Sequence, residues 1–221
     1  MITVHHLDDS RSQRVLWMLE ELGVPYEIQH YKRDPKTMLA PVELRRVHPL
    51  GKVPVITDDG VTVAESGAIL EYLVERYGQE RWRPAAGTPD ALRFTYWMHY
   101  AEGSATPPLL VKLILDRIRE APMPFIAKPI ARRIADQVEQ AYVEPNVSRM
   151  LDFMEGELAL RTWFAGDEIS AADVQMSFPI EAAAQRFALD RHPKLRAFLQ
   201  RIHARPAYRR AIERGGPYRY A

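Results

Sequence analysis

Apolar positions along the first eighty residues switch repeatedly between the two-residue period of a strand and the 3.6-residue period of a helix. Ile2 to Leu7 is a short β-prone run. From Ser12 to Leu22, Val15, Leu16, Leu19 and Leu22 recur at helical spacing, and Gly23 is suited to ending that helix. Tyr26 to Tyr31 alternates with period two, as a half-buried strand does, and Pro41 to Val47 predicts a short helix. Val53 to Thr57 and Val61 to Val63 flank Asp58-Asp59-Gly60, the pattern of a hairpin. Ile69, Leu70, Leu73 and Val74 mark one helical stripe that ends near Gly78.

The order strand, helix, strand, connecting helix, hairpin, helix predicts an α/β, thioredoxin-like N-terminal domain over residues 1–80. Residues 81–90 contain Pro84, Gly87 and Pro89, lack a period and read as a linker. Beyond it the strand pattern disappears. Leu92 to Leu115, Ile126 to Val143, Asn146 to Leu160, Ala171 to Gln185 and Lys194 to Arg205 all read as helices, with Pro107-Pro108 expected to kink or break the first. Residues 91–221 are therefore expected to form an all-α C-terminal domain without internal repeats. Ser170-Ala171-Ala172-Asp173 has the form of a capping box, with Asp where Glu or Gln is usual, and Ile169 and Val174 are placed to staple the helix entry.

Composition narrows the chemistry. Of 221 residues, 47% are hydrophobic and 27% charged, enough for a core in one large or two small domains. Thirty basic against 29 acidic residues leave a net charge of +1, offering neither the basic field that nucleic acid calls for nor an acidic tail. There is no cysteine, which excludes disulfides, thiolate metal sites and a cysteine nucleophile of the protein's own. Thiol chemistry here must use a sulfur carried by the ligand. His5 and His6 are adjacent on a predicted strand and point to opposite faces, so no metal site is expected from them, and no other metal-ligand cluster is visible in the sequence. Residues 1–7 lack the features of a signal peptide, and no run approaches the roughly 18 apolar residues of a membrane span. A cytoplasmic protein without a membrane or nucleic-acid partner is expected.

The stretch His48-Pro49-Leu50-Gly51-Lys52-Val53-Pro54-Val55, followed by Glu65-Ser66-Gly67-Ala68-Ile69, carries the functional signal. Pro54 has no ladder donor, so it belongs at a strand start or in a cis bond that turns the Val53 backbone outward, toward an extended, peptide-like ligand. Ser66 at a helix start offers a hydroxyl and free N–H groups to a carboxylate. Together these describe a pocket for a small charged peptide. With Gly166-Asp167-Glu168-Ile169-Ser170-Ala171-Ala172-Asp173 and Arg205-Pro206-Ala207-Tyr208, they make the chain resemble the cytosolic glutathione S-transferase family along nearly its whole length, in its bacterial theta-like or serine-type classes. Two departures stand out: His48 where many relatives have asparagine, and Gly67 where some serine-type relatives have arginine.

The resemblance implies that glutathione is the co-substrate and that an apolar electrophile is its partner. Lys52 would meet the glycine carboxylate, and the Val53 backbone, set by Pro54, would pair with the cysteinyl unit. Glu65 would take the α-amino group, and Ser66 with its helix start the γ-glutamyl carboxylate. A free thiol of pKa about 8.5 is only about 3% thiolate at pH 7. Lowering it by two units requires about 2.7 kcal/mol of thiolate stabilisation. One charge-assisted hydrogen bond supplies roughly 1.5–3 kcal/mol, so a hydroxyl near the end of the first strand together with the following helix N-terminus would suffice. Ser10, four residues before Arg14, fits the serine-type placement best, with Ser12 second. On spacing alone Ser10-Arg11-Ser12-Gln13 is also a capping box, so Ser10 has two candidate roles, and one hydroxyl can fill both.

The electrophile is expected between the domains against the first long helix of the second, where Tyr96, Trp97, His99, Tyr100, Pro107 and Pro108 are candidates, Tyr96, His99, Tyr100 and Pro108 foremost. Tyr218-Arg219-Tyr220 reads as either a lid or a loose end. The resemblance further implies a homodimer, a detoxifying transferase and glutathione-dependent peroxide reduction by the same thiolate. The alternative is a non-catalytic glutathione-binding or protein-interaction member of the same fold.

Overall fold

The computed structural model describes residues 1–35, 37, 39–79 and 81–221. β1 (Ile2–Leu7), α1 (Ser12–Leu22) and β2 (Tyr26–Tyr31) form a βαβ unit with parallel strands, Ile2 opposite Tyr26 and Leu7 opposite Tyr31. A 3-10 turn, Val42–Arg46, precedes the antiparallel hairpin of β3 (Val55–Asp58) and β4 (Val61–Ala64), and α2 (Ser66–Tyr77) follows. The sheet order is β2-β1-β3-β4, with β1 central and antiparallel to β3. α1 ends where the periodicity predicts: Gly23 sits at φ +65° and its N–H bonds to the Leu19 carbonyl. The buried face of α1 carries Val15, Leu16 and Leu19 into the core with Ile69, Leu70 and Leu73 of α2.

The rest is helical: α3 (Pro89–Tyr100), α4 (Thr106–Glu120), α5 (Ala127–Val138), α6 (Glu144–Leu160), α7 (Ala171–Ala184), α8 (Pro193–His203) and α9 (Pro206–Gly215). α3 begins at Pro89, within the segment read as a linker, because Thr88 caps it by accepting the Ala91 N–H. The break expected at Pro107-Pro108 takes a specific form. A π turn, Ala101–Ala105, joins α3 to α4, and a second, Glu139–Val143, joins α5 to α6 just ahead of Pro145. A proline lacks the N–H for a helical bond and crowds the carbonyl four residues back, and a locally widened turn relieves both. Among the described residues no helix is long and apolar enough to cross a membrane.

α7 runs through the centre of the helical part, and its entry is fixed by the predicted capping box. Asp173 accepts the Ser170 N–H at 2.8 Å, the Ser170 hydroxyl at 3.0 Å and, beyond the box, the Phe164 N–H at 2.8 Å. The Ser10–Gln13 box does not form: the residue capping α1 is Arg11, without a side-chain bond, and Ser10 Oγ accepts the Ser12 N–H instead.

The helical pattern read from the sequence stopped at Arg205, yet α9 follows directly and packs along α1. Its apolar positions Ala207, Tyr208 and Ala211 are buried, while Arg210 and Arg214 reach Glu20 and Arg205 pairs with Glu21. The approach is close at the C-terminal end of α9, where a methyl on Gly215 would stand 2.5 Å from Gln13 Oε1 and 2.8 Å from Leu16 Cδ1. Gly215→Ala is accordingly expected to cost about 1–3 kcal/mol in urea unfolding, the usual penalty of overpacking. A loss below about 0.5 kcal/mol would mean that α9 shifts freely over α1.

Candidate functional site

Ser10 lies just beyond the C-terminal end of β1, in the turn that enters α1. Its Oγ is 2.6 Å from Ser12 Oγ, which is 2.8 Å from His6 Nδ1, so two hydroxyls and an imidazole form one buried chain. Burial, then the neighbouring His30, push the His6 imidazole down to about 4, with Asp8 acting against them, and the ring is neutral at pH 7. Ser12 is wholly buried whereas Ser10 is 7% exposed, which leaves Ser10 as the member of the chain that a ligand can reach.

Arg14, in the first turn of α1, is buried. It donates to Ser66 Oγ at 3.0 Å, to the Gln175 carbonyl at 2.6 Å and to Glu102 Oε1 at 2.5 Å. The three partners come from α2, α7 and the π turn after α3, so one guanidinium joins the sheet-bearing and helical parts at the site. Burial raises the Glu102 carboxyl, but Arg14 and Arg11 outweigh it and hold the group below its ordinary value, as a carboxylate. Glu65, immediately before Ser66, has φ +73°, an uncommon conformation for a residue with a side chain.

A cleft of about 570 Å³ opens over Ser10. Leu7, Asp9, Ser10 and Arg11 contribute to it from the β1–α1 turn, Lys52 and Val53 from the segment before β3, and Leu113, Phe178 and Tyr220 from the helical part. The Val53–Pro54 bond is cis, and Pro54 is buried behind Val53. Ser10, Lys52 and Val53 are thus brought together in one cleft. Glu65 and Ser66 are not among its lining residues; Ser66 Oγ accepts instead from the buried Arg14. A larger cavity, about 720 Å³, lies between residues 81–90 and 166–170 and contains none of the candidates.

The electrophile candidates lie elsewhere. Tyr100, Pro107 and Pro108 line a separate cavity with Tyr142 and Phe153, and Tyr96 borders another with Leu92 and Trp97. His99 is exposed and, like the other three, is absent from the Ser10 cleft. The reason is rotational: Tyr96, Trp97, Tyr100 and Phe153 pack ring to ring, which holds this face of α3 against α6. The helical residues that do line the cleft, Leu113 and Phe178, carried no distinguishing signal in the sequence. Arg33 and Arg45 also line it and were missed.

The C-terminal segment is anchored. The Tyr218 hydroxyl donates to Glu181 at 2.7 Å, Arg219 binds Asp9 through both its backbone N–H and its guanidinium, and Tyr220 packs edge-on against Phe178 at the cleft. A further grouping also escaped the sequence reading, which as a metal ligand weighed His6 with His5 alone: His6, Asp8 and His30 each offer a ligand atom within 4.8 Å of the others. One signal was present in the sequence, the i, i+2 spacing of His6 and Asp8; the register that sets His6 opposite His30 exists only in the folded sheet.

Comparison with known proteins bears on the whole chain. The model of the glutathione S-transferase N-terminal domain matches residues 10–76, and that of the C-terminal domain matches residues 116–206. The chain is 35% identical over 223 residues to Glutathione S-transferase 1 of Saccharomyces cerevisiae, covering 97% of this chain and 95% of that protein. It is 38% identical to Glutathione S-transferase 3 of Schizosaccharomyces pombe, with 97% and 88% covered. Among solved structures, a glutathione S-transferase from Actinobacillus pleuropneumoniae has a TM-score of 0.82 at 31% identity, covering 100% of this chain and 95% of that one. A sphingomonad glutathione S-transferase solved in complex with glutathione has a TM-score of 0.73 at 25% identity, covering 97% and 98%. With both halves matched in order and relatives aligned over nearly the full length, the chain belongs to the glutathione S-transferase family.

Proposed function

We propose that this protein is a serine-type glutathione transferase in which Ser10 donates a hydrogen bond to the glutathione thiolate and an apolar electrophile meets that sulfur in the same cleft. The observation that carries the reading is the placement of Ser10. It is the reachable end of a buried hydroxyl chain and lines one cleft with Lys52 and Val53. Lys52, with Arg45 nearby, suits the glycine carboxylate, and the Val53 backbone beside cis-Pro54 suits the cysteinyl unit. Ser66 accepts from Arg14 and so keeps its own proton to donate to the γ-glutamyl carboxylate, while Glu65 takes the α-amino group. Leu113, Phe178 and Tyr220 replace Tyr96, His99, Tyr100 and Pro108 as the apolar surface for the electrophile. Peroxide reduction by the same thiolate, the division at residues 81–90 and a homodimer belong to this reading. The exposed Ile114, Ile118, Ile130 and Ile134 offer apolar surface that a second copy would bury.

The test is an ultraviolet pH titration of bound glutathione, following thiolate absorbance. The wild type is expected to show a thiol pKa well below that of free glutathione. Ser10→Ala is expected to raise it by about 1–2 units, the equivalent of one charge-assisted hydrogen bond, with glutathione still bound. An unchanged pKa in Ser10→Ala would overturn the assignment to Ser10, and binding with no shift in the wild type would turn the reading toward a non-catalytic binding protein.

A further inference from the structure

Ser10 Oγ already accepts the Ser12 N–H, so the Ser10–Ser12–His6 chain has two ways to arrange its remaining protons. When His6 Nδ1 is bare it accepts from Ser12, Ser12 accepts from Ser10, and Ser10 has no proton left for a ligand. When Nδ1 carries the proton, Ser12 accepts it and donates to Ser10, whose own proton is free to enter the cleft. The His6 tautomer therefore sets the direction of the chain, and the partner of its other nitrogen sets the tautomer.

With Nδ1 committed to Ser12, Nε2 is the nitrogen left over. It belongs to a side chain only 2% exposed and has no hydrogen-bond partner among the described residues. Asp8 and His30 stand beside the ring, with ligand atoms within 4.8 Å of one another and of His6. The His6 and His30 rings meet edge to face, 5.3 Å between centroids, across the β1–β2 register. His6 is held by Ser12, while Asp8 and His30 are exposed. A tetrahedral zinc ion keeps its ligand atoms about 3.4 Å apart, so no pair of the three has to close by more than about 1.5 Å, within reach of a side-chain rotation. Two imidazoles and a carboxylate suit zinc, cobalt or nickel rather than the oxygen-seeking magnesium and calcium.

We propose that His6 Nε2, Asp8 and His30 bind a divalent transition cation of the zinc type, and that the bound cation fixes the His6 proton on Nδ1, directing Ser12 to donate to Ser10 and Ser10 into the cleft. A ring nitrogen on the metal with the opposite N–H given to an oxygen is the ordinary outer-shell arrangement of a metal-bound histidine. The consequence for Ser10 rests on the function proposed above; the site itself does not.

The site is tested with cobalt(II) titrated into the untagged, chelator-treated full chain in the absence of glutathione, which binds the ion itself. One equivalent per chain with visible d–d absorption is expected, weakened at least about 10-fold in His30→Gln and in Asp8→Asn, whose wild-type side chains are exposed. No stoichiometric binding, or binding that both variants leave unchanged, overturns the site. The tautomer is read by nitrogen-15 NMR of histidine-labelled protein loaded with zinc(II). A proton on His6 Nδ1 is expected, and one on Nε2 overturns the link to Ser12. Neither measurement uses glutathione, so each can fail while the Ser10 thiol titration succeeds, or succeed while it fails.

Discussion

Arg14→Met is expected to lower unfolding stability by about 3 kcal/mol and to weaken glutathione binding roughly 10-fold. Methionine follows the aliphatic path of arginine but makes none of the three bonds to Ser66, Gln175 and Glu102. Breaking a buried ion pair from one side typically costs 3–5 kcal/mol because the remaining charge is left uncompensated. The lower end applies here, since the Glu102 side chain is 30% exposed and Arg11 stays 3.6 Å away. The binding loss has a separate origin. Ser66 is no longer held in place, and a positive charge is removed from beneath the end of the pocket proposed for the γ-glutamyl carboxylate. Urea unfolding and calorimetric titration with glutathione read the two effects separately. Stability within 1 kcal/mol of wild type would show that Glu102 and Gln175 find other partners and that Arg14 does not join the two halves. Arg14→Lys restores the charge but not the planar three-way fork, so it should recover only part of either loss.

Asp173→Ala is expected to cost about 3–5 kcal/mol, the larger stability effect of the two. The substitution strands the Ser170 and Phe164 N–H groups in a region without solvent, at about 1–3 kcal/mol each, and removes the cap of α7. At about 2–4 °C per kcal/mol for a chain of this size, the melting temperature should fall by roughly 6–20 °C. Activity should fall with it even below the melting point. α7 carries the Gln175 carbonyl that holds Arg14, Phe178 at the cleft, and Glu181, which receives Tyr208 and Tyr218 from the C-terminal end. Scanning calorimetry decides the matter. A drop of less than about 2 °C would mean that water replaces the carboxylate and that the capping geometry is not what holds α7.

The alternation of Tyr26 to Tyr31 and the spacing of Val15, Leu16 and Leu19 determined β2 and α1 from the sequence alone, because a period reports which side of an element faces the core. Gly23, Ser170 and Asp173 were legible for a related reason: a turn or a cap is a local bargain between residues a few positions apart. The cis bond at Val53–Pro54 was likewise within reach, as was the neighbourhood of Ser10, since a hydroxyl after a strand and a lysine before a proline are statements about short segments. What periodicity does not report is the neighbour. Tyr96 and Tyr100 lie on an aromatic face of α3 as the pattern says, but that face meets Phe153 of α6 rather than the cleft. α9 was missed because its exposed positions are mostly charged, and the partner that makes those charges favourable, Glu20, lies 190 residues away from Arg210. Arg14 acquires its meaning only when Ser66, Glu102 and Gln175, separated from it by 52, 88 and 161 residues, converge on one guanidinium. The sequence determined the elements and the local chemistry at their ends, because both depend on residues near one another in the chain. The tertiary structure alone decided which side chains share the cleft, which hydroxyl a ligand can reach, and which imidazole stands behind it, because those depend on distances that folding creates.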